Sequence, residues 1–148
     1  MFITRRRLAS LAFVGIFLLG TGVAWADARV GLKISIVHAT RDAGAPDPAL
    51  ANIQGDLEKA FGAYKGFKQL DAHELDLPLG QKIELPLPNA NTADFTYKGS
   101  KGGQHQIHFS VPEAKVDVDL RAPARRLFYQ AGLAHEGGIL ILVLYLKD

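Results

Sequence analysis

Val30, Leu32, Ile34 and Ile36 alternate with Gly31, Lys33 and Ser35, the period of two that gives a strand one buried face. After Asp47-Pro48 the period lengthens. Leu50, Ile53, Leu57, Phe61 and Tyr64 recur at helical spacing, and an aspartate N-cap followed by proline at the first helical position is a strong start signal. The pattern predicts a helix over about Pro48 to Phe61, ended by Gly62 and Gly66, and then a less regular strand over Phe67 to Leu75.

From there the chain reads as strand and turn. Ile83, Leu85 and Leu87 face one way and Lys82, Glu84 and Pro86 the other, with the proline pointing to an edge or a bulge. Asn89-Ala-Asn91 turns the chain. Phe95 to Lys98 and His105 to Val111 read as hairpin arms around Gly99 to Gly103. Lys115 to Arg121 turns Val116, Val118 and Leu120 inward, and Leu127 to Gln130 forms a further strand. Ile139 to Leu146 is eight apolar residues without a break, and a strand apolar on both faces belongs in the middle of a sheet. The predicted class is therefore α+β: about seven mostly antiparallel strands, as a sheet or small sandwich, with one helix packed on a face.

The N-terminus carries a different signal. Arg5 to Arg7 precede nineteen uncharged residues, Leu8 to Ala26, which end in Ala24-Trp25-Ala26. A basic n-region, an apolar h-region and small residues before a cleavage point are the parts of a secretory signal peptide. Residues 1–26 are thus expected to be removed between Ala26 and Asp27, leaving 27–148 as one periplasmic or secreted domain. Thr4-Arg5-Arg6-Arg7-Leu8 also resembles the twin-arginine export pattern, but the short, strongly apolar leader favours the general secretory route. An uncleaved anchor is the other alternative, since nineteen residues nearly reach the ~20 needed to span a bilayer. After cleavage no transmembrane segment is expected.

Removing the leader changes the charge. Three of the 17 Lys and Arg residues lie in it and none of the 15 Asp and Glu, which leaves 14 against 15. The basic pI of the whole chain is no argument for nucleic-acid binding, which needs a basic face. Cysteine is absent, so disulfides, thiolate nucleophiles and iron–sulfur ligation are excluded, and no cofactor is implied.

Candidate chemistry is sparse. His105 and His108 are three apart on a strand and point to opposite faces, so no metal site is expected. Asp117 and Asp119 share an outward face, roughly 7 Å apart, a separation usable for acid–base work. Lys115 and Arg121 on the same face give the plainer reading of a solvated, alternating-charge strand. Lys98 to Gly103 is glycine-rich but leads into a strand, so it lacks the helix N-terminus of a phosphate loop. Arg121, Arg125 and Arg126 form a small basic patch. Ser35, Ser100 and Ser110 lack a nucleophile setting. The most site-like stretch joins the first strand to the helix through His38, Thr40, Arg41, Asp42 and Asp47, a place where loops often bind ligands. Its structural account has Asp47 capping the helix, Arg41 paired with Asp42, and His38 closing the core.

Val37-His-Ala-Thr40, Asp47-Pro-Ala-Leu50, the Leu85-Pro-Leu-Pro-Asn89 strand and turn, and His135-Glu-Gly-Gly-Ile-Leu-Ile-Leu142 together resemble a group of small exported α+β proteins of myxobacteria-like bacteria. The resemblance implies one exported domain and no particular activity. The expected role is non-enzymatic binding of an envelope protein or other envelope component. The alternative is a small hydrolase or sugar-binding enzyme using Asp117 and Asp119 or the His38 to Asp47 loop.

Overall fold

The computed structural model describes residues 28–147. The leader and its Ala26–Asp27 junction lie outside the described residues. The described residues are mostly strand with one α-helix: β1 (Arg29–Thr40), a 3-10 turn (Pro48–Leu50), α1 (Gln54–Ala60), β2 (Gly66–Pro78), β3 (Lys82–Pro86), β4 (Thr92–Lys101), β5 (Gln104–Val111), β6 (Val116–Pro123), β7 (Leu127–His135) and β8 (Gly138–Lys147). Two four-stranded antiparallel sheets result, ordered β2-β1-β8-β7 and β3-β4-β5-β6.

The alternation seen in the sequence explains why the sheets face each other. Val30, Leu32, Ile34 and Ile36 of β1 and Leu140, Leu142, Leu144 and Leu146 of β8 meet Phe95, Ile107 and Phe109 of the second sheet in one buried core. Val116, Val118 and Leu120 pack against it from β6. The other face of β8 is covered as well: Ile141 and Val143 join Val37, Ala39 and Phe67 beneath Leu50 and Leu57. The uninterrupted apolar run is thus central in its sheet and buried on both sides.

Four expectations need correction. Eight strands form, where about seven were expected, because the irregular second strand is a full 13-residue strand with a bulge. Ile36 pairs with Asp71 but Val37 with Gln69, so Leu70 is extra. That one residue reverses the side-chain parity of β2, letting Phe67 reach the helix layer while Leu77 reaches the sandwich core. The predicted Pro48–Phe61 helix is split into the 3-10 turn and the seven-residue α1, since Asn52, Ile53 and Gly55 are weak helix formers.

The hairpin loop is shorter than Gly99 to Gly103. β4 runs to Lys101 and β5 starts at Gln104, leaving Gly102 and Gly103 with φ of 61° and 78°, as a tight two-residue hairpin turn demands. Lys98 is the extra residue of a second bulge. β7 is longer than Leu127 to Gln130 because a third bulge, between Gln130 and Leu133, carries the strand on to His135. Pro86 sits on β3, an edge strand, as its missing N–H requires. Among the described residues no helix is long and apolar enough to cross a membrane.

Candidate functional site

The β1–α1 connection crosses one end of the first sheet and is pinned at both ends. Thr40 Oγ1 donates to the Asp42 carbonyl oxygen at 3.1 Å, and Lys65 N–H donates to the Thr40 carbonyl at 2.8 Å. Gly66 lies directly under this turn. A Cβ there would stand 2.5 Å from both the Asp42 carbonyl oxygen and Thr40 Oγ1, so only glycine permits the approach. At the far end Asp47 accepts hydrogen bonds from Ala49 N–H and Gln69 N–H, each at 2.9 Å. Those two amides, with Lys68 nearby, hold its carboxyl below the ordinary 3.8. Asp47 therefore caps the turn, and it also ties the turn to β2 just beside the bulge.

Between the loop and the sheet lies an open cavity of about 500 Å³, lined by His38, Thr40, Gly44, Ala45, Asp47, Pro48, Gly66, Phe67 and Lys68. His38 is fixed from behind. Its Nε2 is 3.0 Å from the His135 carbonyl oxygen, and since a carbonyl only accepts, Nε2 carries the proton. The two imidazole rings meet edge to face, with centroids 4.8 Å apart. Gly138 makes room for this pair, because a Cβ there would collide with the Ala39 carbonyl and approach His38 Nε2 at 3.2 Å.

Of the residues singled out from sequence, His38, Thr40 and Asp47 line the cavity, whereas Arg41 and Asp42 do not. Arg41 and Asp42 are exposed and form no ion pair with each other; Asp42 contributes its carbonyl. Sequence reasoning missed Gly44, Ala45, Gly66, Phe67 and Lys68. Lys68 sits opposite His38 in the β1–β2 ladder, a juxtaposition visible only once the register is known. The cavity wall is mainly small and apolar, with an imidazole, a hydroxyl and one ammonium, and both Asp47 oxygens are already engaged. Such a wall suits reversible binding of an apolar group that bears one polar or anionic end.

Asp117 and Asp119 do share the outer face of β6, and their partner is a third residue. His108 of β5 lies between them, Nε2 3.0 Å from Asp117 Oδ1 and Nδ1 2.7 Å from Asp119 Oδ1. A protonated ring donates to both carboxylates at once. The two nitrogens point away from each other, so they cannot chelate one ion, and the carboxylates stand on an open, largely exposed strand face. His105 is unrelated to His108: its Nδ1 shares a hydrogen bond of 2.8 Å with the Tyr97 hydroxyl, and burial raises the Tyr97 pKa. Arg121 faces solvent on β6, and Arg125 lies in the β6–β7 turn with φ of 63°. Among the described residues no group of three or more histidine, aspartate or glutamate side chains is placed to hold a metal ion.

A second, smaller cavity of about 380 Å³ lies on the outer face of the first sheet beside the 3-10 turn, between Leu50, Ile53, Val143, Tyr145 and Leu127. No protein family, curated protein or solved structure matches this chain.

Proposed function

We propose that this chain is an exported periplasmic or cell-envelope domain, cleaved between Ala26 and Asp27, whose role is non-enzymatic binding of an envelope protein or other envelope component. The binding site in this reading is the cavity beneath residues 41–47. One observation carries it: a cavity of about 500 Å³ under a loop that Asp47, Thr40 and Gly66 hold in place. A pinned loop above small apolar residues is a preformed site, and preformed sites lose little entropy on binding. Lys68 and His38 supply the polar end. The enzyme alternative has less support, because Asp117 and Asp119 hold His108 on an open face and Asp47 spends both oxygens on backbone amides.

A photo-cross-linking residue introduced in place of Ala45, in cells that export the protein, tests this. The expected result is a discrete adduct from position 45 at several-fold higher yield than from the same residue placed at Asp117. Equal labelling from both positions, or labelling at 117 alone, would contradict the cavity as the binding site.

A further inference from the structure

The helix layer covers only part of the outer face of the first sheet. It ends at Leu50 and Ile53, and beside them two cross-strand rows, Lys33–Tyr145–Leu127 and Ser35–Val143, line the second cavity. Asn52, just after the 3-10 turn, and Gln69 of β2 complete its polar wall. One carboxylate fixes both: Asp47 accepts from Ala49 N–H in the turn and from Gln69 N–H on β2, each at 2.9 Å. The segment that carries Asn52 and the strand that carries Gln69 are therefore tied together before any ligand arrives. The 3-10 turn borders both cavities, with Asp47 and Pro48 lining the first and Ala49 and Leu50 the second.

Charge at this cavity is already matched. Lys33 pairs with Glu74 at 3.6 Å, and Glu74 also takes Lys147 at 3.1 Å. The uncharged polar groups are in the opposite condition. Among the described residues, the side chains of Ser35, Asn52, Gln69 and Tyr145 make no hydrogen bond, although each can both donate and accept. They converge on apolar surface from Leu50, Val143 and Leu127, the last of these 43% exposed.

We infer that this second cavity is a saccharide site that takes one ring of a neutral glycan. Two carboxamides and two hydroxyls match sugar hydroxyls, which also both donate and accept, while Leu50, Val143 and Tyr145 meet the ring's C–H face. Other ligand classes fit the wall less well. A phosphate or carboxylate would find Lys33 as the lining cation, and Glu74 already holds it. A purely apolar ligand would strip water from Ser35, Gln69 and Tyr145 and return no hydrogen bond, which is costly. A peptide that adds as a strand needs a free backbone edge, whereas β1 and β8 beneath the cavity each have a strand on both sides. The volume of about 380 Å³ is near the lower end for ligand sites, so one ring is enclosed and the rest of a glycan stays in solvent.

Amide chemical shifts of purified residues 27–148, titrated into the millimolar range with maltose, lactose or N,N′-diacetylchitobiose, test this, with inorganic phosphate and octanoate as the anionic and apolar probes. At least one disaccharide is expected to give saturable shifts at Ser35, Asn52, Gln69 and Tyr145 while Thr40 and Ala45 stay unmoved, and neither control should move the four. Asn52→Ala and Gln69→Ala should each raise the dissociation constant about threefold to tenfold, the effect of losing one hydrogen bond. Their melting temperatures should match the wild type, since neither side chain bonds to the rest of the fold. No saturable shift at the four residues with any of the three sugars, equal shifts with phosphate or octanoate, or full affinity in both alanine variants would each overturn the proposal. Shifts confined to Thr40 and Ala45 would overturn it too, while supporting the loop cavity as the binding site.

Discussion

Leu142→Asp is expected to abolish the folded domain. Leu142 is fully buried in the core between the sheets, opposite Ile36 in the central β1–β8 ladder. Truncating such a leucine to alanine costs about 2–5 kcal/mol, and an unpaired carboxylate in the same place adds several more. Against a total stability of about 5–15 kcal/mol, nothing folded is left. Ile141→Asp should do the same from the opposite face, where Ile141 is fully buried beneath the helix layer. Thermal melts followed by circular dichroism check this: neither aspartate variant should show a cooperative transition, whereas Leu142→Ala should keep one at a lower midpoint. A cooperative melt for both aspartate variants would mean that β8 is not the doubly covered centre of its sheet.

Gly138→Ala should have the next largest effect, and for a steric reason. The added methyl would occupy the space of the Ala39 carbonyl oxygen and press on His38 Nε2. Both are held, Ala39 by its pairing with Ile139 and His38 by the His135 carbonyl, so the end of the β1–β8 ladder must open. Overpacking of this kind costs about 1–3 kcal/mol, or roughly 4–12 °C in melting temperature for a domain of this size. The His38 wall of the cavity should shift with it, so binding is expected to fall more than stability alone would require. Gly55→Ala offers a comparison of opposite sign, since its Cβ would meet nothing within 4 Å and alanine is favoured over glycine in a helix by about 0.5–1 kcal/mol.

The parts of the fold that were legible in the sequence are those encoded by short-range periodicity. The alternation of Val30 to Ile36 and the unbroken run of Ile139 to Leu146 fix a half-buried strand and a fully buried one without reference to any partner. Asp47-Pro48 marks its turn because the cap bonds are local. What stayed hidden depends on register. The bulge at Leu70 is set by the need to send Phe67 and Leu77 to different layers, and no residue near it announces that need. His108, Asp117 and Asp119 face outward, as the alternation along their strands predicts. Their meeting required knowing that His108 stands opposite Asp119.

The candidate site divides in the same way. The His38 to Asp47 connection was recognisable as a strand-to-helix loop carrying polar groups, and the cavity lies there. Arg41 and Asp42 drew notice for their charge but point to solvent. Lys68 and Gly66 come from another strand, and His135 from a third, so their convergence on His38 was invisible to local reading. Gly66 in particular looked like a helix terminator, while its structural reason is the close passage of the Asp42 carbonyl above it.

Hydrogen exchange on purified residues 27–148, alone and with a detergent-solubilised extract of the cell envelope, tests the central claim most directly. Amides across Leu140 to Leu144 should exchange slowly in both samples, because that strand is core, while those of residues 41–47 and 66–68 should exchange faster alone and slow in the presence of the extract. Rapid exchange across Leu140 to Leu144 that slows only with extract, with the 41–47 loop unchanged, would contradict this account and make the C-terminal strand the binding site.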